Sequence, residues 1–132
     1  MKRWLKTLVL WLNALVQPDA SFKCIFYHDV NQKYTPMGTE CNVFWQHMAL
    51  LRPGDLVCFD DGFRGLWDER DTFKVRKIYP KVFLAVNLVG QPNYLTWAEI
   101  LTLQKDYGFD FQCHTWSHQT LTGPYNDEVP IP

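Results

Sequence analysis

The central stretch of the chain reads Leu56-Val57-Cys58-Phe59-Asp60-Asp61-Gly62-Phe63. Its first four residues are apolar and follow a Pro-Gly turn, which is the pattern of a buried strand. The strand would end on two adjacent carboxylates, which repel each other unless a cation or hydrogen bonds stabilise them. Gly62 allows the backbone to turn sharply at that point. The stretch therefore predicts a core strand with chemically active groups at its carboxyl end.

A second motif follows another short apolar segment near the end of the chain. The segment 110–113 runs into His114-Thr115-Trp116-Ser117-His118. Histidines four residues apart share one face if the segment is helical, which is a usual way of offering two imidazoles to one metal. Two imidazoles and a carboxylate leave coordination positions open for water. The two motifs together predict a metal-activated hydrolytic centre. The ordinary alternatives are a capped turn for the aspartates, and a helix start with one buried and one exposed imidazole.

Apolar runs and helical stripes alternate along the rest of the chain. Strands are predicted at 22–27, 56–59, 81–88 and 110–113, with helices around 43–51, 73–78 and 96–108. Thr96 and Glu99 form the pattern of a capping box, and Gly108 is a good helix terminator. This alternation predicts an α/β fold with parallel strands and right-handed crossovers.

Length, charge and cysteine content exclude several classes of protein. The 132 residues suffice for one modest domain, and a net charge of -1 argues against a nucleic-acid partner. The aromatic share of 16% suits either core packing or a sugar-binding cleft. Cys58 and Cys113 precede the two motifs on predicted strands, and we expect small buried hydrophobes there, not disulfide partners or zinc ligands. Such cysteine usage fits a reducing compartment.

Residues 1–20 precede the predicted domain and are apolar with helical spacing. Three interpretations remain open: a signal peptide, a short membrane anchor, or an amphipathic helix that packs on the domain or lies on a membrane surface through residues 1–16. The apolar run is short for a bilayer-spanning helix. A cytoplasmic or membrane-associated location is favoured over secretion.

The two motifs resemble those of the polysaccharide deacetylases, the NodB-homology or carbohydrate esterase family 4 proteins. The carrying residues are Phe59-Asp60-Asp61-Gly62 and His114-Thr115-Trp116-Ser117-His118, supported by Phe26-Tyr27-His28 and by residues 81–86. The resemblance spans nearly everything after Ser21. It implies that residues 21–132 form part of a distorted (β/α)7 barrel. It also implies metal-dependent hydrolysis of acetamide groups on an N-acetylated polysaccharide, with release of acetate.

The resemblance also implies a role for individual residues. Asp60 would be the catalytic base, while Asp61, His114 and His118 would bind one divalent ion, with zinc expected and cobalt, nickel or iron as alternatives. Three further residues would contact substrate, and these are His28, Trp67 and Trp116. For His28 the alternative is a local hydrogen bond that holds a loop, and for Trp67 it is packing of a helix face against the barrel.

The chain also departs from the family pattern. An arginine motif, an aromatic wall and a leucine-histidine motif come later in the family, and none follows His118 in this sequence. No residue can therefore be assigned as the general acid, and the chain resembles the front part of the barrel. Cys58 stands where the family commonly has Thr or Ser. The alternatives are a sugar-binding remnant without turnover and an esterase acting on O-acetyl glycans. Open strand edges in a partial barrel would favour self-association.

Overall fold

The computed structural model describes residues 23–119, which form a four-stranded parallel sheet with flanking helices. The strands lie in sequence order across the sheet, and every neighbouring pair is parallel. This architecture confirms the predicted α/β class. The elements, in chain order, are β1 (Cys24–Tyr27), α1 (Cys41–Met48), β2 (Leu56–Asp61), α2 (Gly65–Asp68), α3 (Arg70–Arg76), β3 (Lys81–Leu84), a 3-10 turn (Val86–Leu88), α4 (Trp97–Tyr107) and β4 (Asp110–Cys113).

The register assigns each strand residue to one of two faces, because directly paired residues in a parallel sheet point the same way. Tyr27 pairs with Phe59, which pairs with Val82. These side chains are buried in one core with residues from all four helices. We call this side the helix-covered face. The opposite side, which we call the open face, carries Phe26 with 58% of its surface exposed.

Aromatic rings fill the centre of the helix-covered face. Phe73 of α3 makes edge contacts with Phe44, Phe59, Trp45 and Phe109, at centroid distances of 5.0–6.0 Å. Edge-to-face packing suits the quadrupoles of aromatic rings and adds to the burial energy. Part of the high aromatic share of the sequence is therefore used in core packing.

Helix α4 begins and ends as its sequence predicts. The Thr96 side chain accepts a hydrogen bond from the Glu99 backbone, and the Glu99 carboxylate accepts one from the Thr96 backbone at 2.8 Å. Gly108 ends the helix in the left-handed conformation. Glu99 also pairs with Arg64 Nη2 at 2.8 Å, which connects the start of α4 to the segment after β2.

Several predicted boundaries were wrong. The third strand ends at Leu84, not at residue 88, because the backbone amides of Val86 and Asn87 bond to the segment after β4 and not to a strand ladder. Helix α3 ends at Arg76, since Lys77 adopts a left-handed conformation.

Cys113, predicted to be buried, is exposed because β4 pairs on one side only within residues 23–119. Cys58 is buried as expected.

The predicted N-terminal helix over 1–20 lies outside the described residues, as does the end of the proposed 21–132 domain. Within residues 23–119, no helix has the length and apolarity that a bilayer crossing requires.

Candidate metal centre

The parallel arrangement brings the two sequence motifs to one edge of the sheet. Carboxyl ends of parallel strands share an edge, and ligands of open α/β sheets bind there. Asp61 pairs with Leu84, which pairs with Cys113, so β3 separates the aspartate from the strand that leads to the histidines. Neighbouring strands are about 4.8 Å apart, and side chains reaching over the end of β3 can therefore meet.

Asp61, His114 and His118 do meet at this edge. Each offers one ligand atom, and these three atoms all lie within 4.8 Å of one another. Asp61 Oδ1 is 3.0 Å from His118 Nε2 and 3.8 Å from His114 Nε2. Two ligand atoms bound to one zinc ion lie roughly 3–3.5 Å apart, because each is about 2.0–2.2 Å from the metal. The three residues can hold a metal ion.

The polar atoms of the site fit a cation. Asp61 is only 3% exposed, and its buried Oδ1 receives no hydrogen bond within the described part of the chain. A buried carboxylate oxygen that accepts no hydrogen bond is costly unless a cation compensates it, and the nearest nitrogens to this oxygen are those of the two imidazoles. Neutral imidazoles present a lone pair on the ring nitrogen that lacks a proton, so a bound cation would satisfy all three groups.

The backbone at the site is unusual. Asp61, Thr115 and His118 have φ values of 69°, 68° and 54°, and Gly62 follows Asp61 with a φ of 84°. Left-handed conformations are uncommon for residues other than glycine, and especially so for a β-branched residue such as threonine. Strained backbone of this kind concentrates at functional sites. The geometry of both motifs is therefore shaped by more than local propensity.

The histidines do not lie on a helix, which corrects the predicted mechanism of their convergence. The segment after β4 is irregular, and backbone hydrogen bonds hold it to the end of β3. His114 N bonds to Leu84 O at 2.7 Å, and the carbonyls of Thr115 and Trp116 accept from the 3-10 turn. The imidazoles still meet, with ring centroids 5.0 Å apart. Strand β3 and its turn position the histidines, in place of helical spacing.

A small pocket opens beside the histidines. Its volume is about 180 Å³, and it is lined by His114, Thr115, His118 and Gln119. Pockets for drug-sized ligands span ~300–1,000 Å³. This cavity is smaller than such pockets and has room for an ion with bound water.

The remaining predicted site residues lie outside the three-ligand group. Asp60 is half-buried next to Asp61, and it pairs with Phe83 on the open face. His28 follows β1 at the same edge of the sheet. Trp116 lies between the two histidines and is 61% exposed. Trp67 packs partly against the core, and the Arg70 guanidinium lies 4.2 Å from its ring centroid.

Two residues near the centre were not singled out from the sequence. Tyr94 stacks on Phe63 with centroids 4.6 Å apart, and burial, followed by the charge of Asp61, raises the pKa of its phenol. Asn87 donates its backbone amide to Trp116 O at 3.0 Å, and its own buried Oδ1 has no partner within residues 23–119. Neither residue belongs to a recognisable sequence motif, so their positions near the metal centre become visible only in the structure.

A second buried carboxyl lies close to this edge. Asp29 lies two residues after the end of β1 and is fully buried. Its carboxylate accepts a hydrogen bond from Val30 N at 2.8 Å. It also contacts Gly65, where an added Cβ would be 2.0 Å from Asp29 Oδ1. Burial raises the pKa of Asp29 to about 7. The group therefore joins the end of β1 to the start of α2.

No protein-family model matches this sequence, and a search of curated protein sequences finds no match either. The fold and the site define the class by themselves: an α/β domain with a parallel sheet and a candidate centre of two histidines and one aspartate.

Proposed function

We propose that this chain carries the metal-binding part of a hydrolase that removes acetyl groups from an N-acetylated polysaccharide. The observation that supports the proposal most is the convergence of Asp61, His114 and His118 from distant strand ends. The order of the two motifs supplies the resemblance to polysaccharide deacetylases. The four parallel strands with helices on one face are the arrangement from which the front of a distorted (β/α)7 barrel would be built.

The three ligands would hold one divalent ion, for which we propose zinc, with cobalt, nickel or iron as alternatives. Such an ion supplies Lewis acidity, which polarises an acetamide carbonyl and lowers the pKa of a bound water. Nitrogen and oxygen ligands without thiolate bind several first-row metals with little intrinsic selectivity. The ligands alone therefore do not select zinc, and the choice of zinc is part of the proposal.

The chain's own groups would supply the base and the substrate contacts of this reaction. Asp60 is the proposed general base, which takes the proton of the attacking water, and its position next to Asp61 keeps it at the same strand end. Trp116 is exposed in the segment between the histidines, where an indole can stack on a sugar ring. His28 lies at the same edge of the sheet. Trp67 already contacts the core and Arg70, so the proposed sugar contacts rest on the other two residues.

Acetate release from N-acetylglucosamine oligomers tests the proposal. The zinc-loaded full chain should release acetate, Asp61→Ala should abolish the release, and Asp60→Asn should lower kcat by ~10²–10⁴-fold, as expected for loss of a general base. Asp106→Asn serves as the control, because this acid is exposed on α4. Release that is unaffected by Asp61→Ala would contradict the proposal.

The same assay separates the two alternatives. Acetate released from an O-acetylated oligosaccharide, with none from the N-acetylated one, would indicate an esterase. Binding of the oligomers without any release would indicate a sugar-binding module, the alternative raised by the unassigned general acid.

A further inference from the structure

Two cysteine side chains lie in contact away from the metal centre. The Sγ atoms of Cys24 and Cys58 are 3.4 Å apart on the open face of the sheet. Cys24 is exposed on β1, and Cys58 is buried on β2. No sequence pattern indicates this pairing, because the two residues belong to no close-spaced cysteine motif. The contact arises from the register of the two strands.

The register makes them diagonal neighbours. Cys24 pairs with Leu56, and Cys58 pairs with Phe26. Cys58 is therefore two residues beyond the partner of Cys24 and points to the same face. Neighbouring parallel strands lie about 4.8 Å apart and rise about 3.3 Å per residue, so residues offset by two positions have Cα atoms roughly 8 Å apart. A disulfide needs Cα atoms within about 7 Å. The two sulfurs can therefore bond only if β1 shifts locally, and β1 pairs on one side only within the described residues.

We propose that Cys24 and Cys58 form a thiol–disulfide exchange site whose substrate is a low-molecular-weight disulfide such as oxidised glutathione. A bond that requires a shift of an edge strand is strained, and strained disulfides are the readily reduced kind. The Cys24–Cys58 disulfide would therefore form and be reduced again under mild conditions, unlike a structural disulfide.

The reaction proceeds in two exchange steps. The Cys24 thiolate attacks one sulfur of the small disulfide, forms a mixed disulfide and expels one thiolate. The Cys58 sulfur then attacks the Cys24 sulfur and expels the second thiolate. The two protons lost by the cysteines go to the two leaving groups, so two protein thiols are oxidised and one small disulfide is reduced to two thiols.

Exposure determines the order of the steps. Cys24 is accessible to a small disulfide, whereas Cys58 is 1% exposed. Burial raises the pKa of the Cys58 thiol, and so does its hydrogen bond with Cys24. The accessible Cys24 therefore reacts first, and Cys58, whose Sγ lies 3.4 Å from that of Cys24, resolves the mixed disulfide.

The test treats the native full chain with oxidised glutathione and measures intact mass and peptide maps. The expected product has lost two hydrogens and contains a Cys24–Cys58 cross-linked peptide, and a dithiol restores both thiols. Cys24→Ser should abolish this product. Cys113→Ser is the matched control, because Cys113 is an exposed cysteine on the other edge strand, and this variant should still form the product.

Other results would overturn the proposal. The first is a wild-type chain that gains only glutathione adducts, with no internal cross-link. The second is a cross-link that persists in Cys24→Ser. Because Cys24 is exposed, its substitution by serine preserves the core, and circular dichroism of that variant checks that it is folded.

Discussion

Asp61 Oδ1 lies 3.0 Å from His118 Nε2, although the two residues belong to opposite sides of strand β3. His114 Nε2 approaches the same oxygen to 3.8 Å. This convergence leads to a first prediction, on metal binding. Saturating zinc should stabilise the chain against unfolding, by about 2.7 kcal/mol at a hundredfold excess over Kd. Titration calorimetry and urea unfolding with and without zinc measure the effect.

The matched variants for this prediction are His118→Ala and His47→Gln. The first should lose both binding and stabilisation, whereas the second should keep them, because His47 is engaged with the Tyr27 hydroxyl at 3.0 Å. Acidification should weaken binding in the wild type, since imidazoles bind metals only in their neutral form. Equal zinc affinity in the wild type and His118→Ala would refute the assigned ligand set.

Asp29 provides a prediction on pH. Its pKa is raised from 3.8 to about 7 by burial, so the folded state holds this proton more tightly than the unfolded state does. The resulting stability is fully present below pH ~4 and is lost as pH rises towards 7, at up to about 1.4 kcal/mol per pH unit. Asp29→Asn should remove this dependence. Urea unfolding of both proteins from pH 5 to 8 measures the difference.

In that experiment, Asp106→Asn is the control for removal of one carboxylate, because Asp106 is exposed. Asp68 also raises the pKa of Asp29 through its charge, while hydrogen bonds from the backbone of Val30 and Gly65 lower it. A wild type and an Asp29→Asn variant whose stabilities change in parallel with pH would rule out this role.

The aromatic core provides a prediction on stability. Phe73 is fully buried among four other aromatic rings, so Phe73→Ala should lower the free energy of unfolding by about 3–5 kcal/mol. Val75→Ala on the same helix should change it by less than about 0.5 kcal/mol, because Val75 is 81% exposed. Denaturant unfolding compares the two, and similar losses would mean that α3 does not pack as described.

The start of α4 gives a fourth prediction. Thr96→Ala removes the side chain that caps the Glu99 amide, which should cost about 1 kcal/mol. Thr102 lies further along the same helix and bonds only to Ala98 O at 2.9 Å, so Thr102→Ala should cost less. Equal losses in chemical denaturation would show that the capping box does not stabilise the helix.

The fold class, and the meeting of the two motifs at one end of the sheet, could be predicted because both depend on simple regularities. Apolar runs alternating with helical stripes indicate parallel strands, and parallel strands collect their carboxyl ends at one edge. The capping box of α4 could also be predicted, since Thr96 and Glu99 interact within one helical turn.

The remaining features depend on contacts between distant segments. Their spacing predicts that the histidines converge on a helix face, yet hydrogen bonds to Leu84 and to the 3-10 turn bring them together. Cys113 is exposed because β4 is the outermost strand within residues 23–119, and the sequence of β4 does not indicate that position. The Cys24–Cys58 contact depends on strand register, and register is fixed by the whole sheet.

The order of the strands also has a kinetic consequence. Among residues 23–119, every strand pairing joins segments that a helix separates in the chain, so none forms as a local hairpin. Such non-local pairing slows folding, since the intervening chain must be ordered first. During synthesis, Asp61 emerges well before His114 and His118. The three side chains that can hold an ion therefore meet only late in folding, after the last strand has docked beside β3.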